Sequence, residues 1–362
     1  MTTEAARPRH RVMMLTDSLD VGGLERVVVM LGTELAARGH QVTVVAEPGG
    51  ALWDDLPVDV RREPAPMQRT LVERARYVRW LARRIRSGEF DVVHAHQRGV
   101  ALVARLARVG TAVRVVEHVH NVFAPDRTRW LSFRGDRLIA CGEAIGEMLV
   151  EDFHRPPARI TAIPNAVADL GATEDLTLPS TSGVPPTLLT IARTSPQKDP
   201  ERFIDLIAEL NAHGTRVHGV WVGDGDLLQH CRDEVARRGV AGLSFVGAHA
   251  DVLPFLRQAD VVLLTSRWEG LPLVLLEAAS MGRPLVAPRV GSCAEVVEHG
   301  TNGMLFDVDA EPPEIAALVE KILDPGELTR MGAASREKYL RGFTVDGYVD
   351  RVEEVYRRAL AD

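Results

Sequence analysis

Residues 268–277 have the sequence Trp-Glu-Gly-Leu-Pro-Leu-Val-Leu-Leu-Glu, which sets Glu269 and Glu277 eight positions apart around a loop that turns into a helix. If the helix begins near Pro272, Glu277 lies about one turn inside it, on the same face as Leu273. A helix N-terminus offers unpaired N–H groups and partial positive charge, which suit a diphosphate, while neighbouring carboxylates accept hydrogen bonds from sugar and ribose hydroxyls. The pattern favours a nucleotide-sugar site. On this stretch alone, an ordinary amphipathic helix with an acidic first turn is the alternative.

Apolar runs on both sides place this stretch in an α/β unit. Residues 260–264 predict a buried strand that runs into the loop, and residues 282–287 predict a turn and another strand. The loop therefore lies at the carboxyl end of a strand. Open α/β sheets bind their ligands at this edge.

The wider segment, residues 259–306, contains Gly291, Glu295, Gly300 and Gly303. It resembles the C-terminal signature of the retaining glycosyltransferases of family 4. The resemblance implies an α/β protein of the GT-B fold, with two Rossmann-like doubly wound domains that face a central cleft.

Three further stretches carry the same resemblance. Residues 188–193 end in Arg193 and are followed by Lys198, which is similar to the family's strand with an Arg and a later Lys directed at the donor diphosphate. Residues 220–225 and 245–247 match two strand ends that surround the nucleotide in the family. The resemblance implies donor contacts from Gly223, Gly247, Gly270, Leu271, Pro272, Leu273, Val274 and Glu277.

The N-terminal half begins with a short apolar strand, residues 11–15, and a loop that opens a helix from Leu24 to about Arg38. The loop resembles the family's Gly-Gly loop through Gly22 and Gly23, which implies that both contact the donor. Glycines allow close backbone approach to a ligand, and the helix start favours anionic groups. A plain strand–helix turn is the alternative for a lone Gly-Gly pair.

Two strands end in His-x-His, at His94 and His96 and again at His118 and His120. By register with the family's strand-end His-Asn, the resemblance implies that His120 is the catalytic-site histidine, with His118 as the competing choice. Each pair points to one face of its strand, but neither has a nearby Cys or a dense carboxylate cluster. We therefore predict no metal site. Arg193 and Lys198 already supply the positive charge that a divalent ion would otherwise provide.

The chain of 362 residues, 46% of them hydrophobic, is long enough for two domains with separate cores. We predict an N-terminal acceptor-side domain at 1–170, a Pro/Gly/Ser/Thr-rich linker at 171–186 and a nucleotide-sugar-binding domain at 187–342. The resemblance implies that residues 343–362 form a helix that crosses back to the first domain. Residues 165–168, Asn-Ala-Val-Ala, depart from the family's usual Asn-Gly-Val-Asp, which leaves no ligand role for the last position.

Composition restricts the cellular compartment and the kinds of partner that this protein is expected to have. Three scattered cysteines indicate a reducing compartment, and no apolar run has the length of a signal peptide or a membrane span, so we predict a cytoplasmic protein. The net charge of −7 and sparse aromatic–basic interleaving argue against nucleic acid. Arginines surround an apolar stripe in residues 69–86. We favour a helix packed on its sheet with a solvated basic face over one resting on an anionic membrane surface, which would be a peripheral contact.

The resemblance implies retaining transfer of a hexose-type sugar from a nucleoside-diphosphate sugar, with UDP favoured over GDP, to an acceptor hydroxyl, without metal or cofactor. Glu277 would hold the ribose and Glu269 the sugar hydroxyls. Arg193 and Lys198 would hold the leaving diphosphate, whose charge grows as the glycosidic bond breaks. A sugar-nucleotide epimerase of the same fold and a non-catalytic nucleotide-sugar-binding protein are the alternatives.

Overall fold

The computed structural model describes residues 8–65, 70–127, 129–179 and 184–362. Contacts divide the chain into two compact units, Met1–Asn165 with Asp346–Asp362, and Ala166–Val345. The predicted domain boundaries stay a prediction. Arg69 of the basic segment and residues 180–183 of the proposed linker lie outside the described residues.

The first unit is built on a seven-stranded sheet with the order β3-β2-β1-β4-β5-β6-β7, in which every pair of neighbours is parallel. Its strands are β1 (Arg11–Leu15), β2 (Gln41–Ala46), β3 (Arg61–Pro64), β4 (Val92–Ala95), β5 (Arg114–Val119), β6 (Arg137–Ala140) and β7 (Ile160–Ala162). The central strands are buried on both faces, which explains why they are nearly continuous apolar runs.

Among the described residues, four α-helices connect these strands: α1 (Gly23–Ala37), α2 (Leu71–Arg86), α3 (Arg98–Ala107) and α4 (Glu143–Glu151). A capping box between Thr70 and Glu73 starts α2. One face of α2 buries Tyr77, Leu81 and Ile85 in the core of the unit, while most of its arginines are exposed. The basic segment is therefore a packed helix with a basic outer face; contact of that face with a membrane stays a prediction.

The second unit contains a six-stranded sheet with the order β10-β9-β8-β11-β12-β13, again with parallel neighbours. Its strands are β8 (Thr187–Ile191), β9 (His218–Val222), β10 (Leu243–Gly247), β11 (Val261–Leu263), β12 (Leu285–Pro288) and β13 (Gly303–Phe306). Its helices are α5 (Pro200–Ala212), α6 (Leu228–Arg238), α7 (Leu253–Gln258), α8 (Leu273–Ser280), α9 (Cys293–Val296), α10 (Pro312–Ile322) and α11 (Pro325–Gly342). Trp221 and Phe203 are fully buried in its core.

The chain ends in α12 (Val345–Ala361), nearly all of which belongs to the first unit. Its buried face includes Tyr348, Val352 and Tyr356. Arg38 at the end of α1 forms ion pairs with Asp350 and two further acids of α12. Of the helices within the described ranges, none combines the length and apolar character needed to cross a bilayer.

Candidate functional site

In the second unit, the loops after β8 and β11 are tied together at the carboxyl edge of the sheet. The hydroxyl of Thr265 donates to the carbonyls of Lys198 and Asp199, each at 2.9 Å. The Gln197 side-chain amide donates to the Trp268 carbonyl at 2.9 Å. Because β8 and β11 are neighbours in the sheet, residues about 70 positions apart meet here. These bonds hold both loops in one arrangement.

The same pairing brings together two predicted site residues. Lys198 Nζ lies 2.5 Å from Glu269 Oε1, and their side chains are only 17% and 5% exposed. The sequence interpretation gave them separate targets, the diphosphate and the sugar hydroxyls, and did not anticipate this contact. Desolvation strengthens such a charge-assisted bond, but it leaves either partner costly to bury alone.

Arg193 follows β8 and is exposed. Its guanidinium forms no ion pair with any carboxylate of the described residues. Behind it, a Cβ at Gly223 would clash with the Ala192 carbonyl, and Gly223 has a φ of 144°. Gly223 also donates its N–H to the carbonyl of Gly247, at 2.8 Å. Gly223 is thus required by the packing of the strand ends that support Arg193, and Gly247 has a φ of 88° that favours glycine, whatever their contact with a ligand.

The helix predicted near Pro272 begins at Leu273, with Pro272 as N-cap and no side chain capping it. Within α8, six of eight residues are buried, and only Leu273 and Glu277 are partly exposed. The alternative of an ordinary amphipathic helix with an acidic first turn is therefore wrong, because α8 is buried on nearly all sides and has no acid in its first turn. Its polar features are the N-terminal N–H groups, the carboxylate of Glu277 one turn later, and the Ser280 hydroxyl, which donates to the Glu277 carbonyl.

The loop before α8 packs against the segment that follows β12. A Cβ at Gly291 would clash with the carbonyl of Glu269, and the Ser292 N–H donates to the Gly270 carbonyl at 2.8 Å. Gly270, Leu271 and Val274 are buried. Glycine at 291 therefore has a structural cause, which is the close passage of the loop that carries Glu269.

Hydroxyl groups at this edge were missed by the sequence interpretation. Buried side-chain oxygens of Thr194, Ser195, Ser266 and Ser292 have no hydrogen-bond partner in the described part of the chain. All four residues follow the carboxyl ends of β8, β11 or β12. Buried hydroxyls normally find a partner, so these are candidates to bind phosphate or sugar oxygens. Their position just after strand ends is the signal that would have found them.

In the first unit, α1 begins at Gly23 with Gly22 as an extended N-cap. Glu25, in the first turn, lies so close to Gly22 that a Cβ there would clash with its carboxylate. An anion at this helix start would have to compete with that carboxylate. The donor role predicted for Gly22 and Gly23 stays a prediction.

The two His-x-His pairs come together because β4 and β5 are neighbours in the sheet. His96 Nδ1 lies 3.1 Å from His120 Nε2, and His94 Nδ1 lies 2.7 Å from the Tyr356 hydroxyl. His118 is 1% exposed and stacks between its neighbours, whereas His120 is partly exposed. Of the second pair, only His120 is partly exposed, and its buried Nδ1 has no hydrogen-bond partner among the described residues. Desolvation lowers the pKa of His120 to about 3, so its ring is neutral at pH 7.

Nitrogen atoms of His94, His96 and His118 lie within 4.8 Å of one another, a spacing at which a metal ion is conceivable. The prediction of no metal treated each pair on its own strand and did not foresee this grouping. The rings of His94 and His118 are parallel, however, with an interplanar angle of 4°, and the His96 ring is tilted from them by 28° and 32°. A metal lies in the plane of each ligating imidazole, along the nitrogen lone pair, so stacked rings do not direct three lone pairs to one point. The absence of a metal stays a prediction.

Comparison with known proteins agrees with this architecture. Two family profiles match the chain, Glycosyltransferase Family 4 over residues 21–169 and Glycosyl transferases group 1 over residues 185–325. The putative glycosyltransferase EpsF of Bacillus subtilis is 30% identical over 70% of this chain and 68% of its own length. The UDP-Gal:alpha-D-GlcNAc-diphosphoundecaprenol alpha-1,3-galactosyltransferase of Escherichia coli is 26% identical over 93% of this chain and 94% of its own.

Solved structures share the fold. Anabaena Alr3699/HepE, in complex with UDP-glucose, superposes with a TM-score of 0.81 at 20% sequence identity, over 97% of this chain and 100% of that chain. Both units have the parallel α/β architecture of the GT-B fold, so the predicted fold class of two Rossmann-like domains is confirmed.

Proposed function

Because the chain belongs to the glycosyltransferases of family 4, and is thus a sugar-transferring enzyme, we propose that it moves a hexose-type sugar from a nucleoside-diphosphate sugar to an acceptor hydroxyl, with retention of the anomeric configuration. We further propose that the donor is a UDP-sugar. The name of the Escherichia coli relative specifies UDP-Gal, and the Anabaena structure holds UDP-glucose. Both support a uridine donor here.

The observation that carries this proposal is the buried contact between Lys198 and Glu269 beside the exposed Arg193. As a donor binds, the Lys198 ammonium is shared with the diphosphate, and the Glu269 carboxylate turns to accept hydrogen bonds from sugar hydroxyls. Arg193 supplies a second cation without first having to break an ion pair. Negative charge grows on the diphosphate as the glycosidic bond breaks, so preplaced cations stabilise the transition state more than the ground state.

The remaining roles follow from position and charge. Glu277 holds the ribose near the start of α8, and neutral His120 hydrogen-bonds the transferred sugar. No side chain is an evident covalent nucleophile, so we propose same-face displacement in which a diphosphate oxygen accepts the proton of the acceptor. Two cations in place of a divalent ion support metal-independent transfer. The three cysteines are free and buried, which supports a reducing compartment such as the cytoplasm.

A donor panel tests the proposal. UDP- and GDP-sugars are compared by thermal shift, since a ligand that binds only the native state raises apparent stability. The bound donor is then incubated with a hydroxyl acceptor, and the product's anomeric configuration is read by NMR. We expect a UDP-sugar to bind and an α-linked product from an α-donor. An inverted product overturns retention, and epimerisation of donor alone overturns the transferase assignment.

A further inference from the structure

The first unit has a cavity at the amino edge of its sheet, away from the residues discussed above. It measures about 550 Å³ and is formed mainly by the segments that precede β6 and β7. His120 follows the carboxyl end of β5 in the same parallel sheet. Along a parallel sheet, these are opposite edges. A ligand in this cavity would therefore not occupy the edge that carries His120.

The lining of the cavity is cationic. It includes Arg129, Arg134, Arg155 and Arg159 and contains no aspartate or glutamate. None of the four forms an ion pair with a carboxylate of the described residues. Many other arginines of this chain do form such pairs, so the absence of acids here is a local property.

Arg155 carries the strongest part of the argument. It is only 8% exposed, and its Nε donates to the carbonyl of Phe153 at 2.6 Å. The Nε of Arg134 is likewise held by the carbonyl of Trp130, at 2.7 Å. These bonds fix the two side chains at Nε and leave the terminal nitrogens of each guanidinium for another partner. Little of Arg155 reaches solvent and no carboxylate of the described residues pairs with it, which favours an anion beside its guanidinium.

Glu117 is the acid that interacts electrostatically with Arg155, but it neutralises the positive charge of Arg155 only in part. Its carboxyl is buried, and one of its oxygens accepts a long bond of 3.3 Å from the Gly135 N–H. Burial raises the pKa of Glu117 to about 7, so it is not fully charged at neutral pH. Burial and repulsion from Arg134 lower the pKa of Arg155. The positive charge around the cavity is therefore not neutralised from within.

The cavity also has aromatic walls, which suit a ligand with an organic part. Phe133 and His154, both at the cavity, have φ values of 52° and 53°, in the left-handed region that non-glycine residues rarely adopt. The Phe133 ring is packed edge-on against Phe153, with centroids 4.7 Å apart. Trp130 is 61% exposed and offers a flat apolar surface beside the arginines. Strained backbone of this kind collects at ligand sites.

We propose that this cavity binds a phosphate or diphosphate ester, with its charged group on Arg134 and Arg155 and its organic part against Trp130. Guanidinium groups suit phosphate because their forked N–H donors match its oxygens. The volume fits a small organic ligand. A soluble metabolite and a lipid headgroup both present this chemistry. The proposal does not depend on the donor site of the second unit.

The test separates the cavity from the donor site. Inorganic pyrophosphate is titrated by calorimetry into the Arg193→Gln/Lys198→Gln/Glu269→Gln protein, in which the donor clamp is disabled and no carboxylate is left buried without its cation. We expect one remaining site whose affinity falls at least about tenfold in Arg155→Gln and in Arg134→Gln, because each loses a charge-assisted hydrogen bond. Arg216→Gln, which removes an exposed arginine of the second unit, is the matched control and leaves the affinity unchanged.

A second arm identifies the source of the phosphate. The same proteins are sedimented with phosphatidylglycerol or phosphatidylcholine vesicles. Pyrophosphate binding without vesicle binding supports a soluble ligand, and vesicle binding that is lost in Arg134→Gln supports a headgroup. If neither probe binds, or if binding is the same in Arg134→Gln as in the control, the proposal is overturned. Arg134 is exposed, so its variant remains informative even if Arg155→Gln does not fold.

Discussion

Replacing Lys198 with Met tests both the structure and the proposed chemistry of the second unit. The substitution keeps the side chain's length and removes its charge. Glu269, at 5% exposure, then loses its cation and remains buried. Breaking a buried pair from one side costs on the order of 3 kcal/mol or more, so the second unit should become less stable by about that amount.

Replacing Glu269, the other partner of the ion pair, should lower the stability less. In Glu269→Gln the lone ammonium belongs to Lys198, which is 17% exposed and can reach water more readily. The double variant Lys198→Met/Glu269→Gln should be more stable than the sum of the two single losses predicts, by about 1–3 kcal/mol, because the residues are in direct contact. Lys338→Met is the matched control. Its pair with Glu298 spans 3.7 Å, with 58% exposure on the acid side, so its loss should cost below about 1 kcal/mol.

Urea unfolding monitored by tryptophan fluorescence measures these stabilities, and steady-state kinetics with a UDP-sugar measures turnover. We expect kcat of Lys198→Met to fall by about 10²-fold, as for other lost electrostatic contacts to a transition state. If Lys198→Met is as stable as Lys338→Met, the pair is not desolvated and the structural argument is wrong. If its kcat matches that of the wild type, the diphosphate clamp is wrong.

Three further predictions concern other residues. Arg193→Ala should lower kcat by about 10²-fold with a smaller loss of donor affinity. Glu277→Ala should mainly raise KM for the donor, because a ribose contact exists in both ground and transition states. Restored activity on adding Mg²⁺ to a chelated sample of the wild type would contradict the metal-free mechanism. His120→Ala should keep donor binding and lose about 10²-fold in turnover; a crippled His118→Ala beside an active His120→Ala would show that the wrong histidine was chosen. Hydrogen bonding to Arg11 holds the pKa of Asp91 below its usual range. The contribution of Asp91 to stability is therefore complete above about pH 4 and disappears as the pH falls through the lowered pKa. A stability difference between wild type and Asp91→Asn that does not shrink from pH 7 to pH 3 in urea unfolding would refute this.

The sequence by itself determined the features that depend on neighbouring residues. Apolar runs and turn residues predicted alternating strands and helices. The start of α8 was predicted to within one residue of Leu273, because a proline before an apolar run is a local signal. The helix predicted from Leu24 to about Arg38 is α1, displaced by about one residue at each end. The helix implied at residues 343–362 is α12, which begins two residues later and ends one residue earlier. The family resemblance rested on such local motifs, and the fold class followed from it.

Only the tertiary structure decided which distant residues meet. Lys198 and Glu269 form an ion pair because β8 lies beside β11, and His96 reaches His120 because β4 lies beside β5. Strand order is a property of the whole sheet and leaves no mark in the spacing of either pair. Burial is decided in the same way: α8 is enclosed by the elements around it, whereas its sequence alone also fits an ordinary amphipathic helix. The cationic cavity of the first unit depends on two segments that precede β6 and β7, and no local pattern predicts that they come together without an acid between them.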